Sequence, residues 1–291
     1  MRMLAVLMLA LAGTCAEAQV AYPNKPVKLV LGFTPGSAAD VVARLLAPRL
    51  GDNLGQPVVV ENRPGAGSNI AGEAVARSPG DGYTLLLGSV ANAINATLSR
   101  GLSFDFARDF APVSGVATLP NLLVVHPSVA AKNVQELIAV AKAKPGDLMY
   151  GSSGNGTAPH LSGELFNLMA GVKLVHVPYK GSPQAVTDLL AGRVLVMFSP
   201  ASTVLQHIKA GSLRALASTG LARTGAAPEL PTVAESGLAG FETSVWFGLV
   251  APNGTSADIL DRLNRDTQRA LAAPELKTQF AAQGVDAMGG S

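Results

Sequence analysis

Short apolar runs alternate with amphipathic stretches along most of this chain. The first apolar runs lie at 27–33, 58–62 and 84–89, and the run VVVEN at 58–62 is typical of a parallel strand that is covered on both faces. Between these runs, apolar residues recur at three- and four-residue spacing, which predicts helices that begin at 37 and near 69. This β-α-β-α-β order predicts right-handed crossovers and a parallel sheet.

The same alternation returns in the second half of the chain. Strands are predicted at 148–152, 173–177, 194–198, 213–219 and 245–252, and helices after 133, 157 and 182, near 257–272 and near 274–283. Two strands joined at Leu119-Pro120 mark a first crossing between domains, and the looser segment 225–231 marks the return. We therefore expect two α/β domains, residues 19–120 plus 221–291 and residues 121–220, with a ligand cleft between them.

Two strand-to-helix turns carry the candidate chemistry. In the first, Ser37 and Asp40 fit a capping box after Gly36. In the second, a loop with three glycines leads to Thr157, which can cap a helix whose first turn holds Pro159. Helix N-termini offer unpaired N–H groups and the positive end of the helix dipole, which suit carboxylates or phosphates. The alternative is that these glycines only relieve steric crowding at strand ends.

Composition excludes several other classes. The 291 residues carry a net charge of +2 without a basic cluster, and only 5% are aromatic, which does not favour nucleic acid as a partner. The serines do not lie in the G-x-S-x-G context of a hydrolase, and the four histidines form no metal-binding pattern. We therefore expect neither an enzyme nor a cofactor or metal, and a hydrolase with a serine in the cleft is the rival hypothesis.

The N-terminal residues 1–18 have the features of a signal peptide. Arg2 precedes a short apolar core, and Ala16-Glu17-Ala18 is an A-x-A cleavage site, so the mature chain is expected to begin at Gln19. The single cysteine, Cys15, lies inside this segment, and Thr14 directly before it disfavours a lipid anchor. The predicted mature chain has no disulfide, and we expect it to be periplasmic.

Several longer motifs together resemble the Bug family of extracytoplasmic receptors of tripartite tricarboxylate transporters. The motifs are YPNKPVKLVLGFTPGSAAD, VVVENRPGAGSNIAGEAVARSPGDGYTLLLGS, DFAPVSG, YGSSGNGTAPHLSGELF and VHVPYKGSPQAVTDLLAGRV. The resemblance implies a type II periplasmic-binding-protein (Venus-flytrap) fold of two α/β lobes. It also implies a monomer that captures a small carboxylate for membrane permease subunits. A receptor that docks on a sensor protein is the alternative.

The chain departs from the family pattern at three places. Ala91-Asn92-Ala93 follows the strand at 84–89, Leu195 and Ser199 stand where the family often has acidic residues, and the chain stops at Ser291. Without an acidic residue near Ser199, an amino-acid ammonium would lack a counter-charge. We therefore predict that plain carboxylates are preferred over amino acids.

The predicted ligand-binding residues come from both turns and from neighbouring strand ends. They are Phe33, Thr34, Gly36, Ser37, Ala38, Asp40, Ser89, Asn92, Ser152, Ser153, Gly154, Asn155, Gly156, Thr157, His160, Tyr179, Lys180 and Ser199. Asp40 has a purely structural alternative as a capping residue, and His160 has one as a neutral histidine. Tyr179 and Lys180 either reach the cleft or form a solvated turn.

Overall fold

The computed structural model describes residues 22–290, which form two α/β lobes with one long strand that extends through both. The strands are β1 (Val27–Leu31), β2 (Val58–Asn62), β3 (Thr84–Ser89), β4 (Phe110–Val125), β5 (Met149–Ser152), β6 (Val175–Pro178), β7 (Val196–Pro200), β8 (Arg214–Ser218), β9 (Ser244–Pro252) and β10 (Asp286–Ala287). The helices are α1 (Ala38–Leu54), α2 (Asn69–Ala76), α3 (Val90–Leu98), α4 (Val134–Ala143), α5 (Ala158–Ala170), α6 (Ser182–Leu190), α7 (Ala201–Lys209), α8 (Ala257–Ala272) and α9 (Pro274–Ala282). The predicted signal peptide lies outside the described residues.

In the first lobe, β2, β1 and β3 run parallel, as predicted, and β9 pairs antiparallel with β3 and β4. The prediction that β2 is covered on both faces is wrong. This strand lies at the edge of the sheet, and the side chain of Val59 is 51% exposed. Apolar composition favours a strand because branched side chains fit the pleat, but it does not fix the place of the strand in the sheet.

The 16-residue strand β4 connects the two lobes. It pairs with β9 as far as Pro120 and with β7 and β8 from Asn121 onward. The predicted pair of strands joined at Leu119-Pro120 is therefore one continuous strand. Proline lacks a ladder donor, and Pro120 is tolerated here because it occupies the point where β4 changes partners. The first crossing lies at this point.

In the second lobe, β6, β5 and β7 run parallel beside the antiparallel pairs of β4 with β7 and β8. The core contains Tyr150, Phe166, Phe198 and Phe241. Residues 219–243 pack on this lobe, since Val233 also belongs to its core and the amide of Ser218 donates to Pro231. Packing thus favours a return crossing near residue 243, beyond the segment 225–231.

Helix α5 packs on the sheet mainly through small residues, with Leu165 and Met169 partly buried beside them. The buried positions include Ser162, Gly163 and Phe166, whereas the side chain of Leu168 is 80% exposed. A Cβ at Gly163 would lie 2.2 Å from the ring of Tyr150, so the small residues allow the helix to lie close to the sheet. Close backbone approach, which apolar spacing does not reveal, decides the orientation. No helix within residues 22–290 is long and apolar enough to cross a membrane.

Candidate ligand-binding cleft

Five helices begin at one small cavity between the lobes. The cavity has a volume of about 30 Å³. Its helix-start residues are Ser37, Ala38 and Ala39 of α1, Ser89, Val90 and Ala91 of α3, Thr157, Ala158 and Pro159 of α5, Ser182 of α6 and Pro200 of α7. Phe33, Ser153, Val245 and Phe247 complete the wall, and none of these residues is charged. Because the first amides of a helix have no partner inside the helix, this neutral cavity is surrounded by positive dipole ends.

The turn at the start of α1 is held by a carboxylate. Asp40 is buried, and it accepts hydrogen bonds from Gly36 N, Arg44 Nε (both 3.0 Å) and Asn62 Nδ2 (2.9 Å). Although burial raises the pKa of the Asp40 carboxyl, the hydrogen bonds from Arg44, Gly36 and Asn62 outweigh it and hold that pKa below 3.8. Ser37 caps the helix through a longer contact of 3.4 Å with Asp40 N. Asp40 does not line the cavity, which favours its structural interpretation.

Helix α3 was missed by the sequence analysis, although Ser89 and Asn92 have the spacing of a capping pair. Asn92 Oδ1 accepts from the Ser89 amide at 3.0 Å and from the Ser89 hydroxyl at 3.3 Å. Asn92 is buried, and its Nδ2 has no hydrogen-bond partner within the described part of the chain. Asn92 therefore braces the start of α3, while Ser89 reaches the cavity wall.

The turn before α5 is held by hydroxyl groups and imidazoles. Ser152 Oγ accepts from Gly154 N at 3.0 Å and lies 2.6 Å from His176 Nε2. Gly156 N donates to His160 Nδ1 at 3.2 Å. Thr157 occupies the N-cap position as predicted, but its hydroxyl donates to Gly154 O at 2.7 Å and does not accept from a helix amide. Ser152, His160 and Gly156 thus support the turn and do not line the cavity.

His160 and His176 stack with their ring centroids 4.2 Å apart. Burial lowers the pKa of both imidazoles below 6.5, and the neighbouring His160 contributes to bringing that of His176 to about 4. Glu164 only partly offsets this effect. Both rings are therefore neutral near pH 7, so His160 Nδ1 can accept from the Gly156 amide and His176 Nε2 can share a hydrogen bond with the Ser152 hydroxyl. Sequence reasoning missed His176 because it belongs to β6, outside the glycine-containing turn that it supports.

A second, larger cavity of about 590 Å³ adjoins the first and shares Phe33 and Ser153 with it. Its other walls comprise Gly32, Gly65, Ala66, Gly67, Asn69, Asn95, Ser99, Gly154, Asn155, Pro178, Tyr179, Lys180 and Gln184. Lys180 is the charged residue among them. The Tyr179 hydroxyl donates to Asp188 at 2.8 Å, so only Lys180 of the predicted pair presents an uncommitted polar group.

The lobes touch at the rim of these cavities. Asn95 Nδ2 lies 3.4 Å from Gly67 O and 3.5 Å from Gly156 O, which belongs to the opposite lobe. A Cβ at Gly181 would lie 2.2 Å from Thr34 Oγ1, and one at Gly36 would lie 3.5 Å from Pro183. Thr34, Gly36 and Gly156 therefore belong to the contact between the lobes.

Of the predicted residues, the structure brings ten to the cavity walls. They are Phe33, Ser37, Ala38, Ser89, Ser153, Gly154, Asn155, Thr157, Tyr179 and Lys180. The others lie behind the walls or at the contact between the lobes: Thr34, Gly36, Asp40, Asn92, Ser152, Gly156, His160 and Ser199. Ser199 is buried and its hydroxyl lies 2.7 Å from that of Thr203.

Comparison with known proteins identifies the class. A family model for the tripartite tricarboxylate transporter family receptor matches residues 42–291. BugT of Bordetella pertussis is 42% identical over 98% of this chain and 89% of its own length. The chain belongs to this receptor family, whose members are solute-binding proteins and not enzymes.

Solved structures agree with the two-lobed fold. The R. palustris protein Rpa4515, solved with adipate, is 39% identical, with a TM-score of 0.90 over 93% of this chain and 90% of that chain. The periplasmic binding protein BugD is 34% identical, with a TM-score of 0.88 over 92% of this chain and 89% of that chain. The expected periplasmic-binding-protein architecture is thereby confirmed.

Proposed function

We propose that this protein captures a small carboxylate in the cleft between its lobes and delivers it to the membrane subunits of a tripartite transporter. One observation carries the proposal: five helices begin at a single cavity that has no charged side chain in its wall. A carboxylate there would accept hydrogen bonds from first-turn amides and from the Ser37 hydroxyl, partly through water. The adipate bound to Rpa4515 is a ligand of the same class.

The two turns supply the two sides of this proposed site. Phe33, Ser37 and Ala38 would contact the ligand from the first lobe, and Ser153 and Thr157 from the second. Thr34, Gly36 and Gly156 would act at the contact between the lobes, and Asp40, Asn92, Ser152, His160 and Ser199 would hold the walls in place. Closure of the lobes would exclude water and create the form that a permease recognises.

The charges around the cavities disfavour an amino acid as the ligand. Asp188 forms a 2.8 Å ion pair with Arg193, and Glu164 accepts from the Tyr150 hydroxyl at 2.6 Å. Neither carboxylate lines the cavities, and the third candidate, Asp40, is engaged by Arg44. The ammonium of an amino acid would therefore be desolvated without a counter-charge, which is costly.

A matched pair of ligands tests the proposal. Thermal unfolding is measured with mono-, di- and tricarboxylates, and calorimetry then compares succinate with aspartate. A ligand at 100 times its Kd should stabilise the protein by roughly 2.7 kcal/mol. We expect stabilisation by at least one carboxylate and weaker binding of aspartate than of succinate. Tighter binding of aspartate would contradict the expectation that an ammonium group is disfavoured. If no carboxylate stabilises the protein, the proposed ligand class is wrong.

Export to the periplasm belongs to the same proposal. Residues 1–18 would be removed as a signal peptide, so the mass of the periplasmic protein should correspond to a chain that begins at Gln19. A lipidated chain that begins at Cys15 would contradict this. We expect the mature receptor to be a monomer, which light scattering can measure.

A further inference from the structure

We infer that the larger cavity is a second subsite, in which Lys180 binds the far carboxylate of a dicarboxylate whose first carboxylate lies at the helix N-termini. This inference rests on the proposed function and specifies the ligand further. The two cavities share the walls formed by Phe33 and Ser153, so a ligand held in the first extends into the second.

The difference in size requires such an extension. The first cavity, at about 30 Å³, has room for on the order of two water-sized groups, which matches a carboxylate but not the chain attached to it. The second cavity, at about 590 Å³, has room for the rest of a small ligand. The first subsite therefore selects a carboxylate, and the second selects the remaining part of the ligand.

The charge of the second cavity identifies the far group. Lys180 is the charged residue in its wall, and the ammonium forms no ion pair with any residue between 22 and 290. The nearest acidic candidate along the chain, Asp188, is held by Arg193 and the Tyr179 hydroxyl. The Lys180 amide donates to Gln184 Oε1 at 3.3 Å, which leaves the Gln184 Nε2 as a second donor in the same wall.

A buried amide in the same cavity gives independent support. The side chain of Asn69 lines the cavity and is 8% exposed, yet its Oδ1 has no hydrogen-bond partner within the described residues. Buried polar atoms are seldom left unpaired. If the amide is rotated by 180°, an N–H group takes that place and can donate to a carboxylate. In the rotated orientation, Asn69 adds a neutral donor to the wall that it shares with Lys180 and Gln184.

Calorimetry with succinate and butyrate, which share a four-carbon chain, tests this subsite. We compare wild-type protein with Lys180→Met and Lys180→Arg. The control is Lys173→Met, which changes another exposed lysine of the same lobe. We expect Lys180→Met to weaken succinate binding by about 10- to 100-fold and to change butyrate binding by less than about twofold, because only succinate has a second carboxylate. Lys180→Arg should retain most of the succinate affinity, and Lys173→Met should change neither.

The outcomes separate this inference from the proposed function. Wild-type protein that binds succinate and butyrate equally, or a Lys180→Met variant that weakens both or neither, overturns the second subsite alone. Wild-type protein that binds no carboxylate overturns the proposed function together with the subsite. Because Lys180 is exposed, the variant should keep its melting temperature in the absence of ligand.

Discussion

The turns before α1 and α5 face each other across the cleft and bring a helix N-terminus to the same cavity, but different chemistry holds each of them. The first depends on the carboxylate of Asp40, which accepts from Gly36, Arg44 and Asn62. The second depends on neutral acceptors, namely the Ser152 hydroxyl and the His160 imidazole. The turn of the first lobe is therefore fixed by a permanent charge near neutral pH, whereas that of the second requires unprotonated histidines.

This difference shows that two turns at one cavity can be held by different interactions, which respond differently to pH and to mutation. A charged clamp near a proposed anion site is tolerated because Arg44 neutralises Asp40. The second turn has no ion pair at its centre, so its geometry depends on positive-φ glycines and on the tautomers of two stacked rings.

Substitution of Gly156 should damage binding more than substitution of Gly36. Both have positive φ, +72° and +77°, but a Cβ at Gly156 would lie 2.3 Å from Asn95 Oδ1 across the cleft, whereas one at Gly36 would meet only Pro183 at 3.5 Å. We expect Gly156→Ala to weaken carboxylate binding by about 100-fold, roughly 2.7 kcal/mol, because the lobes cannot close fully. Titration calorimetry measures this loss.

Gly171→Ala is the matched control for backbone strain. Its φ is +61°, and a Cβ would have no neighbour within 4 Å. The variant should lose about 1 kcal/mol of stability and retain its affinity. Equal affinities of Gly156→Ala and Gly36→Ala would show that the contact with Asn95 does not matter for binding.

Removal of the Asp40 carboxylate should destabilise the first turn. Asp40→Ala leaves Gly36 N, Arg44 and Asn62 without their shared acceptor, and we expect a loss of about 2–3 kcal/mol in the free energy of unfolding. Urea denaturation measures the change. Asp40→Asn, which keeps one acceptor oxygen, should lose less, and equal stability of Asp40→Ala and wild type would exclude the carboxylate clamp.

The second turn should respond to pH in a range where the first does not. The pKa of His176 is lowered from 6.5 to about 4 in the folded protein, chiefly by burial, so the unfolded chain binds more protons between these values. The contribution of His176 to stability is therefore complete above about pH 6.5, falls as the pH decreases, and reaches its minimum below about pH 4.

Urea denaturation at several pH values checks this contribution. His176→Gln should flatten the decline in stability between pH 6.5 and 4, because the titrating group is gone. The control His207→Gln, in the last turn of α7, should keep the wild-type slope. An unchanged slope in His176→Gln would assign the pH dependence to other groups.

The smallest expected difference lies between the two cap hydroxyls. The Ser37 hydroxyl accepts at 3.4 Å, whereas the buried Thr157 hydroxyl donates to Gly154 O at 2.7 Å. Ser37→Ala should cost about 0.5 kcal/mol, and Thr157→Val about 1–1.5 kcal/mol, since Gly154 O then loses a close donor. Thermal unfolding of both variants measures the order, and the reverse order would contradict this interpretation.

Hydrophobic periodicity and cap residues predicted most of the helices and strands. The pair Ser37 and Asp40 and the helix after Thr157 were found because caps and amphipathic stripes depend on neighbours within one or two turns. Helix α3 escaped because its apolar pattern is short, and β4 appeared as two strands because Pro120 usually interrupts a ladder. The edge position of β2 depends on the sheet order and leaves no local pattern.

Local sequence was enough to predict that two glycine-containing turns present helix N-termini, because caps and turn glycines act within one or two helical turns. What surrounds these turns depends on tertiary packing. The parallel pairing of β5 with β6 places His176 opposite Tyr150 and beside Ser152, and the approach of the lobes brings Asn95 to Gly156 and Asn69 to the cavity of Lys180. The residues brought together in this way lie from 24 positions apart, for Ser152 and His176, to 111 positions apart, for Asn69 and Lys180 in the wall of one cavity. No periodicity in the chain encodes such separations. Strand register and lobe closure determine them, and both follow from the packing of the whole molecule.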